Sequence, residues 1–196
     1  MNNLVLVGFS CSGKSTIGRA LSRRLRLRFV DTDKRIEQAA GRSIPEIFHD
    51  EGEEAFRALE RQVVAAVARE RFQVVSTGGG AFMDPESRAR LLDDNLVVLL
   101  RIKPETVLER LQRSRGGRPR PMLEAPDPLE RIRDLLAARQ PAYAQAMVAV
   151  DVDNLSINEA TSAVVGRWYA WRRALRERRG ARAGGGKPLV GASPRG

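Results

Sequence analysis

The residues best suited to chemistry lie near the start of the chain, in a glycine-rich segment with a lysine and several hydroxyl groups. Residues 8–16 read G-F-S-C-S-G-K-S-T, between a short apolar run and an amphipathic helical pattern. The two glycines allow a tight turn that points backbone N–H groups at an anion. Lys14 would neutralise the β- and γ-phosphates, and the Ser15 hydroxyl would bind Mg²⁺. The segment therefore predicts a loop that binds a nucleoside triphosphate, with contacts from Cys11, Ser12, Gly13, Lys14, Ser15 and Thr16.

Two carboxylates follow the second predicted strand, in the sequence Asp31-Thr32-Asp33. The carboxyl ends of parallel strands meet at one edge of a sheet, so these side chains should face the same crevice as the phosphate loop. On an extended chain the two carboxylates point in different directions. One is therefore expected near Mg²⁺ and the other near an acceptor hydroxyl. The alternative is an acidic turn that faces solvent.

Three consecutive glycines, Gly78, Gly79 and Gly80, follow the third predicted strand at the same edge. They let a ligand approach the backbone closely and offer N–H donors. On a neighbouring predicted helix, Arg57 and Glu60 are three residues apart, a spacing that presents a guanidinium held by its neighbour. An ordinary surface pair is the alternative, because Glu53 lies four residues before Arg57.

An arginine-rich segment interrupts the regular pattern between two predicted helices. Residues 113–122 read R-S-R-G-G-R-P-R-P-M, which places four arginines among glycines and prolines. Such a segment cannot form part of a core. Beside a phosphate-binding loop, it predicts a mobile lid over about residues 113–125 that brings guanidinium groups over the nucleotide.

The elements that must position these groups alternate between apolar, strand-like runs and helical patterns. Strands are predicted over residues 4–7, 28–30, 73–76, 96–101 and 147–152. Helices are predicted over residues 14–24, 34–39, 51–70, 85–92, 104–112, 128–146 and 157–179. The alternation predicts an α/β fold with three layers, in which helices flank a five-stranded parallel sheet.

The net charge of +10 is concentrated at the C-terminal end of the chain. Residues 172–196 contain eight lysines and arginines but one glutamate, so the rest is only mildly basic. We expect one domain over residues 1–171, then the end of the last helix and a basic tail that is disordered from Gly180. This distribution argues against nucleic acid as a partner. The single cysteine predicts a cytoplasmic protein, and the lack of a long apolar run predicts no membrane association. We also expect a monomer, although the sequence itself does not reveal the oligomeric state.

Together, the motifs resemble those of the shikimate kinase family. Besides the phosphate loop, the matching patterns are D-T-D-x-x-I-E at 31–37, S-I-x-E-I-F-x-x-E-G-E-x-x-F-R-x-x-E at 43–60, T-G-G-G-A at 77–81, R-P-M-L at 120–123 and R-x-P-x-Y at 139–143. The resemblance spans about residues 4–165. It implies a P-loop kinase fold and the ATP-dependent phosphorylation of a ring hydroxyl of shikimate. The products would be shikimate 3-phosphate and ADP, in a step of chorismate and aromatic amino acid biosynthesis.

The resemblance also implies roles for individual residues. Shikimate would be held by Asp33, Arg57, Gly79 and Arg139, with the two arginines on its carboxylate and Asp33 beside the attacking hydroxyl. Glu60 would orient Arg57, and Asp31 would act through water on the Mg²⁺ that Ser15 holds. Arg120 in the lid would reach the transferring phosphate, and Arg113 would flank adenine. Residues 153–157 would form a wall for adenine, but they match too poorly to nominate one of them.

Two alternative functions remain open from the sequence alone. A related small-molecule kinase, such as one for gluconate, would use the same scaffold, although the D-T-D motif and the paired arginines fit the shikimate pattern more completely. A non-catalytic homologue would bind ligand without turnover and act through its basic tail. The intact Lys14, Ser15 and Asp33 argue against that second alternative.

Overall fold

The computed structural model describes residues 2–113 and 126–184, with side chains described as far as residue 178. Within these ranges, five strands form one sheet: β1 (Leu4–Val7), β2 (Arg28–Asp31), β3 (Gln73–Ser76), β4 (Leu96–Arg101) and β5 (Val148–Asp151). All neighbouring strands are parallel, in the order β2-β3-β1-β4-β5. The predicted α/β fold with a five-stranded parallel sheet is therefore confirmed. Residues 114–125 of the predicted lid lie outside the described part of the chain.

Helices cover both faces of this sheet. They are α1 (Lys14–Leu25), α2 (Thr32–Ala40), α3 (Ile44–Arg69), α4 (Pro85–Leu92), α5 (Pro104–Arg113), α6 (Pro128–Tyr143) and α7 (Ile157–Gly184). Leu4 and Leu6 of β1 point into a core layer with α1, α5 and α7, whereas Val5 and Val7 point into the opposite layer with α3 and α4. The alternating side chains of a strand buried on both faces thus produce the three layers.

Helix α3 begins seven residues before its predicted start. Ser43 caps it: the Ser43 hydroxyl accepts a hydrogen bond from the Glu46 N–H, and the Glu46 carboxylate accepts one from the Ser43 N–H. The helix is interrupted at Gly52, where φ is 82° and ψ is −179°. Only glycine adopts that conformation readily. The predicted helix over residues 51–70 therefore corresponds to the part of α3 after the interruption, and the prediction missed the capped part from Ile44 to Glu51.

The predicted extended conformation around Asp33 is also wrong. Helix α2 begins at Thr32, so Asp33 lies in its first turn, and Asp31 is both the last residue of β2 and the N-cap of α2. An aspartate at an N-cap satisfies a free backbone N–H, here that of Lys34, and so favours an early helix start. The two carboxylates are consequently separated by the strand-to-helix junction rather than by alternation along a strand.

Helix α7 continues to Gly184, five residues beyond its predicted end at residue 179, while the disorder of the tail stays a prediction. Alanine and arginine are strong helix formers, and one internal glycine costs only about 1 kcal/mol. Residues 185–196 lie outside the described part of the chain, and the domain limit at residue 171 stays a prediction. Trp168 is buried in the core and stacks on Trp171 at 5.5 Å between ring centroids, so α7 docks on the sheet through these two rings. Tyr169 is exposed and takes no part in that docking.

None of the described helices is long and apolar enough to cross a membrane.

Candidate active site

The phosphate loop lies between β1 and α1 and leaves backbone donors open at the start of the helix. Gly8 and Gly13 have φ values of 142° and 88°, and Cys11 also has a positive φ of 63°. A Cβ atom at Gly8 would lie 2.6 Å from the Leu100 carbonyl oxygen, so only glycine fits at that point. Gly13 is the N-cap of α1 and supplies no side-chain cap. The first N–H groups of α1 are therefore available to an anion, which the helix dipole also favours.

Lys14 is buried beneath this loop and is already oriented by it. Its Nζ atom donates hydrogen bonds of 2.8 Å to the carbonyl oxygens of Gly8 and Phe9. The pKa of Lys14 is lowered to about 8, mainly by burial and also by the charge of Arg139, while the charges of Asp33 and Asp31 oppose the shift. These charge interactions show that the lysine, both aspartates and Arg139 share one small region.

The expected metal-binding groups are hydrogen-bonded to each other. The Ser15 hydroxyl donates to Asp31 Oδ2 at 2.7 Å and lies 3.2 Å from the Ser76 hydroxyl. Sequence reasoning missed Ser76. It is the last residue of β3, which lies between β2 and β1 and aligns Ser76 with Asp31. The order of strands in a sheet is a tertiary property, so no local pattern indicated this position.

Asp33, Glu60 and the glycine segment meet on the other side of Lys14. A Cβ atom at Gly78 would lie 2.5 Å from Asp33 Oδ1 and 3.0 Å from Glu60 Oε1. The Gly78 N–H donates a 2.8 Å hydrogen bond to the buried hydroxyl of Thr32, which joins this segment to the start of α2. Glycine at position 78 is therefore required by the close approach of two carboxylates.

Arg57 forms both of the pairs that the sequence left as alternatives. Nη1 donates to Glu60 at 2.7 Å, and Nη2 donates to Glu53 at 3.0 Å. Glu60 is buried and Glu53 is exposed, so the Glu60 pair orients the guanidinium from inside. Burial raises the pKa of Glu60 although Arg57 opposes the shift, whereas the two glutamates raise the pKa of Arg57 despite its partial burial. As the pH falls, Glu60 is therefore protonated more readily than an ordinary glutamate, whereas Arg57 stays charged.

Both predicted acceptor arginines reach the glycine segment. A Cβ atom at Gly80 would lie 2.6 Å from Arg57 Nη1, and Arg139 Nη1 donates a 2.9 Å hydrogen bond to the Gly79 carbonyl oxygen. Arg139 comes from α6, near its C-terminal end, and is buried. The structure thus brings Asp33, Glu60 and the two arginines to the one glycine segment.

A cavity of about 630 Å³ opens over the phosphate loop. Of the predicted site residues, its lining includes Cys11, Gly13, Lys14, Ser15, Thr16, Asp31, Asp33, Gly79 and Arg113, whereas Arg57, Glu60 and Arg139 do not line it. Ser12 does not line it, because its hydroxyl is fully buried and forms no hydrogen bond with any described residue. A groove of about 720 Å³ lies between α6 and the ends of β4 and β5. Its lining includes Asp153, Asn154 and Leu155 of the predicted adenine wall, but none of the residues predicted to bind the phosphates or the acceptor. We therefore assign the chemistry to the cavity over the loop.

Arg110 is a further residue of this cavity that the sequence did not indicate. Its guanidinium donates to the Cys11 carbonyl oxygen at 3.0 Å and to the Val152 carbonyl oxygen at 2.8 Å. It thereby ties the phosphate loop to the segment after β5. On α5 it occupies a position that pattern alone assigns to solvent. Arg120 lies outside the described residues, so its role stays a prediction.

A phosphate loop on a parallel sheet, beside a glycine segment that a carboxylate and two arginines approach, defines a P-loop kinase of small molecules. Comparisons with known proteins narrow this class. The family model for shikimate kinase matches residues 10–168. A shikimate kinase of Thermus thermophilus is 47% identical over 178 residues, which cover 91% of this chain and 94% of that protein. The chain belongs to the shikimate kinase family.

Solved structures agree with this assignment. A shikimate kinase from Acinetobacter baumannii, solved in complex with shikimate, superposes with a TM-score of 0.80 at 32% identity. The match covers 87% of this chain and 94% of that one. A gluconokinase from Sinorhizobium meliloti superposes with a TM-score of 0.53 at 15% identity and shares the fold alone.

Proposed function

We propose that this enzyme transfers the γ-phosphoryl group of ATP to a ring hydroxyl of shikimate, giving shikimate 3-phosphate and ADP. This reaction is a step of chorismate and aromatic amino acid biosynthesis. The observation that carries the proposal is the meeting of Asp33, Arg57 and Arg139 around Gly78, Gly79 and Gly80, beside Lys14. The membership of the shikimate kinase family and the relative solved with shikimate support the choice of acceptor.

On the donor side, the chain's own residues bind and neutralise the triphosphate. The open N–H groups of the loop and of α1 would hold the β- and γ-phosphates, and Lys14 would exchange its carbonyl partners for phosphate oxygens. Because phosphoryl transfer passes through a loose transition state, this positioning and charge stabilisation supply most of the catalysis.

The oxygen atoms of Ser15 and Asp31 fit Mg²⁺. Hard oxygen donors suit this ion, which keeps several waters and takes few protein ligands. Consistent with that, no group of three His, Cys, Asp or Glu residues within the described ranges is arranged to hold a metal ion. Ser15 would bind Mg²⁺ directly and Asp31 through water, and the ion would neutralise charge on the phosphates.

On the acceptor side, two arginines match one small carboxylate. Arg57 and Arg139 approach the glycine segment from α3 and α6, so a carboxylate between them would accept hydrogen bonds from both. The N–H groups of Gly78, Gly79 and Gly80 border the same space. Asp33 would align the attacking hydroxyl and accept its proton. Arg120 would reach the transferring phosphate, and Arg113, which lines the cavity, would flank adenine.

The experiment that tests the proposal is a coupled ADP-release assay with Mg²⁺, with and without shikimate. Shikimate-dependent ADP release, abolished by omission of Mg²⁺, is expected. Gluconate as acceptor is the matched comparison, and Lys14→Ala is the control for contaminating kinases. Equal turnover with gluconate, or tight shikimate binding without turnover, would establish one of the two alternatives instead.

We further propose that the enzyme acts as a cytoplasmic monomer on small-molecule substrates, without a membrane or nucleic acid partner. A single cysteine precludes an internal disulfide, which favours a reducing compartment. All residues proposed for the reaction come from one chain. Light scattering coupled to size-exclusion chromatography tests the oligomeric state, and a mass near 21.7 kDa is expected.

A further inference from the structure

Phe9, the second residue of the phosphate loop, contacts the basic groups of both halves of the site. Its carbonyl oxygen accepts the 2.8 Å hydrogen bond from Lys14 Nζ. Its ring lies under the guanidinium of Arg139, whose Cζ atom is 5.0 Å from the ring centroid. Phe9 is only 2% exposed and Arg139 9%, so this cation–π contact is removed from water, where such contacts are strongest.

The contact leaves Arg139 free to bind an anion. Stacking uses the flat face of a guanidinium, whereas its hydrogen bonds lie in the plane of the group. Nη1 of Arg139 already donates in that plane to the Gly79 carbonyl oxygen at 2.9 Å. The ring of Phe9 therefore holds the guanidinium from one side, and the bond to Gly79 holds one of its N–H groups.

We propose that Phe9 is a positioning residue for the acceptor: its ring orients the guanidinium of Arg139 so that N–H groups not bonded to Gly79 face the acceptor carboxylate. This inference rests on the proposed function, in which Arg139 binds that carboxylate. Phe9 thus serves the acceptor through its side chain, although it belongs to the nucleotide loop.

The two roles of Phe9 belong to different atoms, the carbonyl oxygen and the ring, so they can be tested separately. A side-chain substitution removes the ring but keeps the carbonyl group that faces Lys14. The loop backbone and its glycines also remain. A change that acts through Arg139 must therefore affect the acceptor and spare the nucleotide.

The test is Phe9→Leu, measured by the shikimate-dependent ADP-release assay. We expect the KM for shikimate to rise by about fivefold to thirtyfold, since a leucine gives no cation–π attraction. The KM for ATP and kcat should stay within about twofold. Calorimetric titration with shikimate alone should show the same loss of affinity. Phe9→Met, which fills the space with a flexible apolar side chain, provides the comparison if the leucine variant does not fold.

A double-mutant cycle shows whether Phe9 acts through Arg139. In an Arg139→Ala background, Phe9→Leu should change kcat/KM for shikimate less than twofold. Phe29→Leu is the matched control, because the Phe29 ring lies under Arg19 at 5.2 Å, and it should leave the shikimate KM unchanged.

The possible failures can be told apart. An unchanged shikimate KM in folded Phe9→Leu and Phe9→Met, or an equal loss in both backgrounds of the cycle, would overturn the inference and leave the proposed function intact. No shikimate-dependent ADP release by the unmodified enzyme would overturn the proposed function and this inference with it.

Discussion

At the scale of single residues, the site depends on Lys14, whose charged form is disfavoured by burial. Lys14 is buried against two carbonyl oxygens, and its pKa of about 8 lies far below the ordinary value of 10.5. The free enzyme therefore loses the ammonium charge above about pH 8. A bound triphosphate would restore that charge, because an anion beside the amine raises its pKa.

This shift predicts an alkaline limb in the pH profile. The value of kcat/KM for ATP, which reports groups of the free enzyme, should fall as the pH rises through about 8. Nucleotide binding at pH 8.5 should take up protons, measurable by calorimetry in buffers of different ionisation enthalpy. The folded Lys14→Arg variant should take up no protons when it binds nucleotide, since arginine stays charged. A flat profile to pH 9.5 would contradict the buried, shifted lysine.

Substitution of Arg57 is expected to weaken the binding of the acceptor and to leave the other kinetic steps largely unchanged. Arg57→Ala should raise the KM for shikimate by roughly tenfold to a hundredfold, because a charge-assisted hydrogen bond is worth about 1.5–3 kcal/mol. It should change kcat much less. Initial-rate kinetics with each substrate varied separately provide the measurement.

Stability must be followed in the same variant, because Arg57→Ala leaves Glu60 buried without its partner. Arg57→Lys keeps a positive charge beside Glu60 and loses the two-pronged geometry, so it should show the KM effect with less loss of stability. Arg61→Ala, on the same helix, is the control. A shikimate KM within twofold of normal in both Arg57 variants would remove Arg57 from the site.

At the scale of elements, the start of α3 places the acceptor residues. The segment from Ile44 to the interruption at Gly52 packs Ile47 against Ile36 of α2, while Phe56 and the Arg57–Glu60 pair follow the interruption. The conformation of Gly52 therefore lets one chain segment serve both the α2 contact and the acceptor pocket.

Alanine substitutions at two helical glycines should change the free energy of unfolding in opposite directions. Gly52→Ala should lower the free energy of unfolding by about 1–3 kcal/mol, since φ of 82° with ψ of −179° disfavours any L-residue with a side chain. Gly166→Ala, inside α7 with open space around it, should raise that free energy by about 0.5–1 kcal/mol. Urea denaturation of both variants gives the comparison. Stabilisation by Gly52→Ala would show that α3 runs straight through this point.

Much of the arrangement of elements was predictable because its signals are local. The alternation of apolar strands and helices gave the five strands of the sheet, and the glycines, Lys14 and Ser15 gave the phosphate loop. The capped start of α3 was also readable at Ser43 and Glu46, but the pattern after Gly52 was stronger.

The missed residues became part of the site through the tertiary structure. Ser76 reaches Ser15 only because β3 pairs with both β2 and β1. Arg110 reaches Cys11 only because α5 packs beside the loop, and Phe9 reaches Arg139 across 130 positions of the chain. No spacing along the sequence encodes such contacts.

At the scale of the whole molecule, the excess positive charge lies apart from the residues proposed for the reaction. The groups that meet around Lys14 lie at the carboxyl edge of the sheet, on elements between β1 and α6. The excess positive charge lies on the far part of α7 and beyond, where residues 172–178 alone carry four arginines and one glutamate. The family match ends at residue 168, before that region begins. This separation predicts that the basic extension is dispensable for turnover.

Deletion of residues 185–196 tests that prediction for the part of the extension that follows α7, and it leaves the described part of α7 intact. Because every residue proposed for the reaction, including the predicted adenine wall at 153–157, precedes position 158, kcat and both KM values should stay within twofold in the ADP-release assay. Removal of Lys187 and Arg195 lowers the net charge from +10 to +8. Non-specific RNA binding should therefore be weak in both forms at physiological salt, with Kd near 10⁻⁵ M or higher by order of magnitude. Submicromolar RNA binding that disappears with the deletion, together with lost activity, would instead give the extension a functional role.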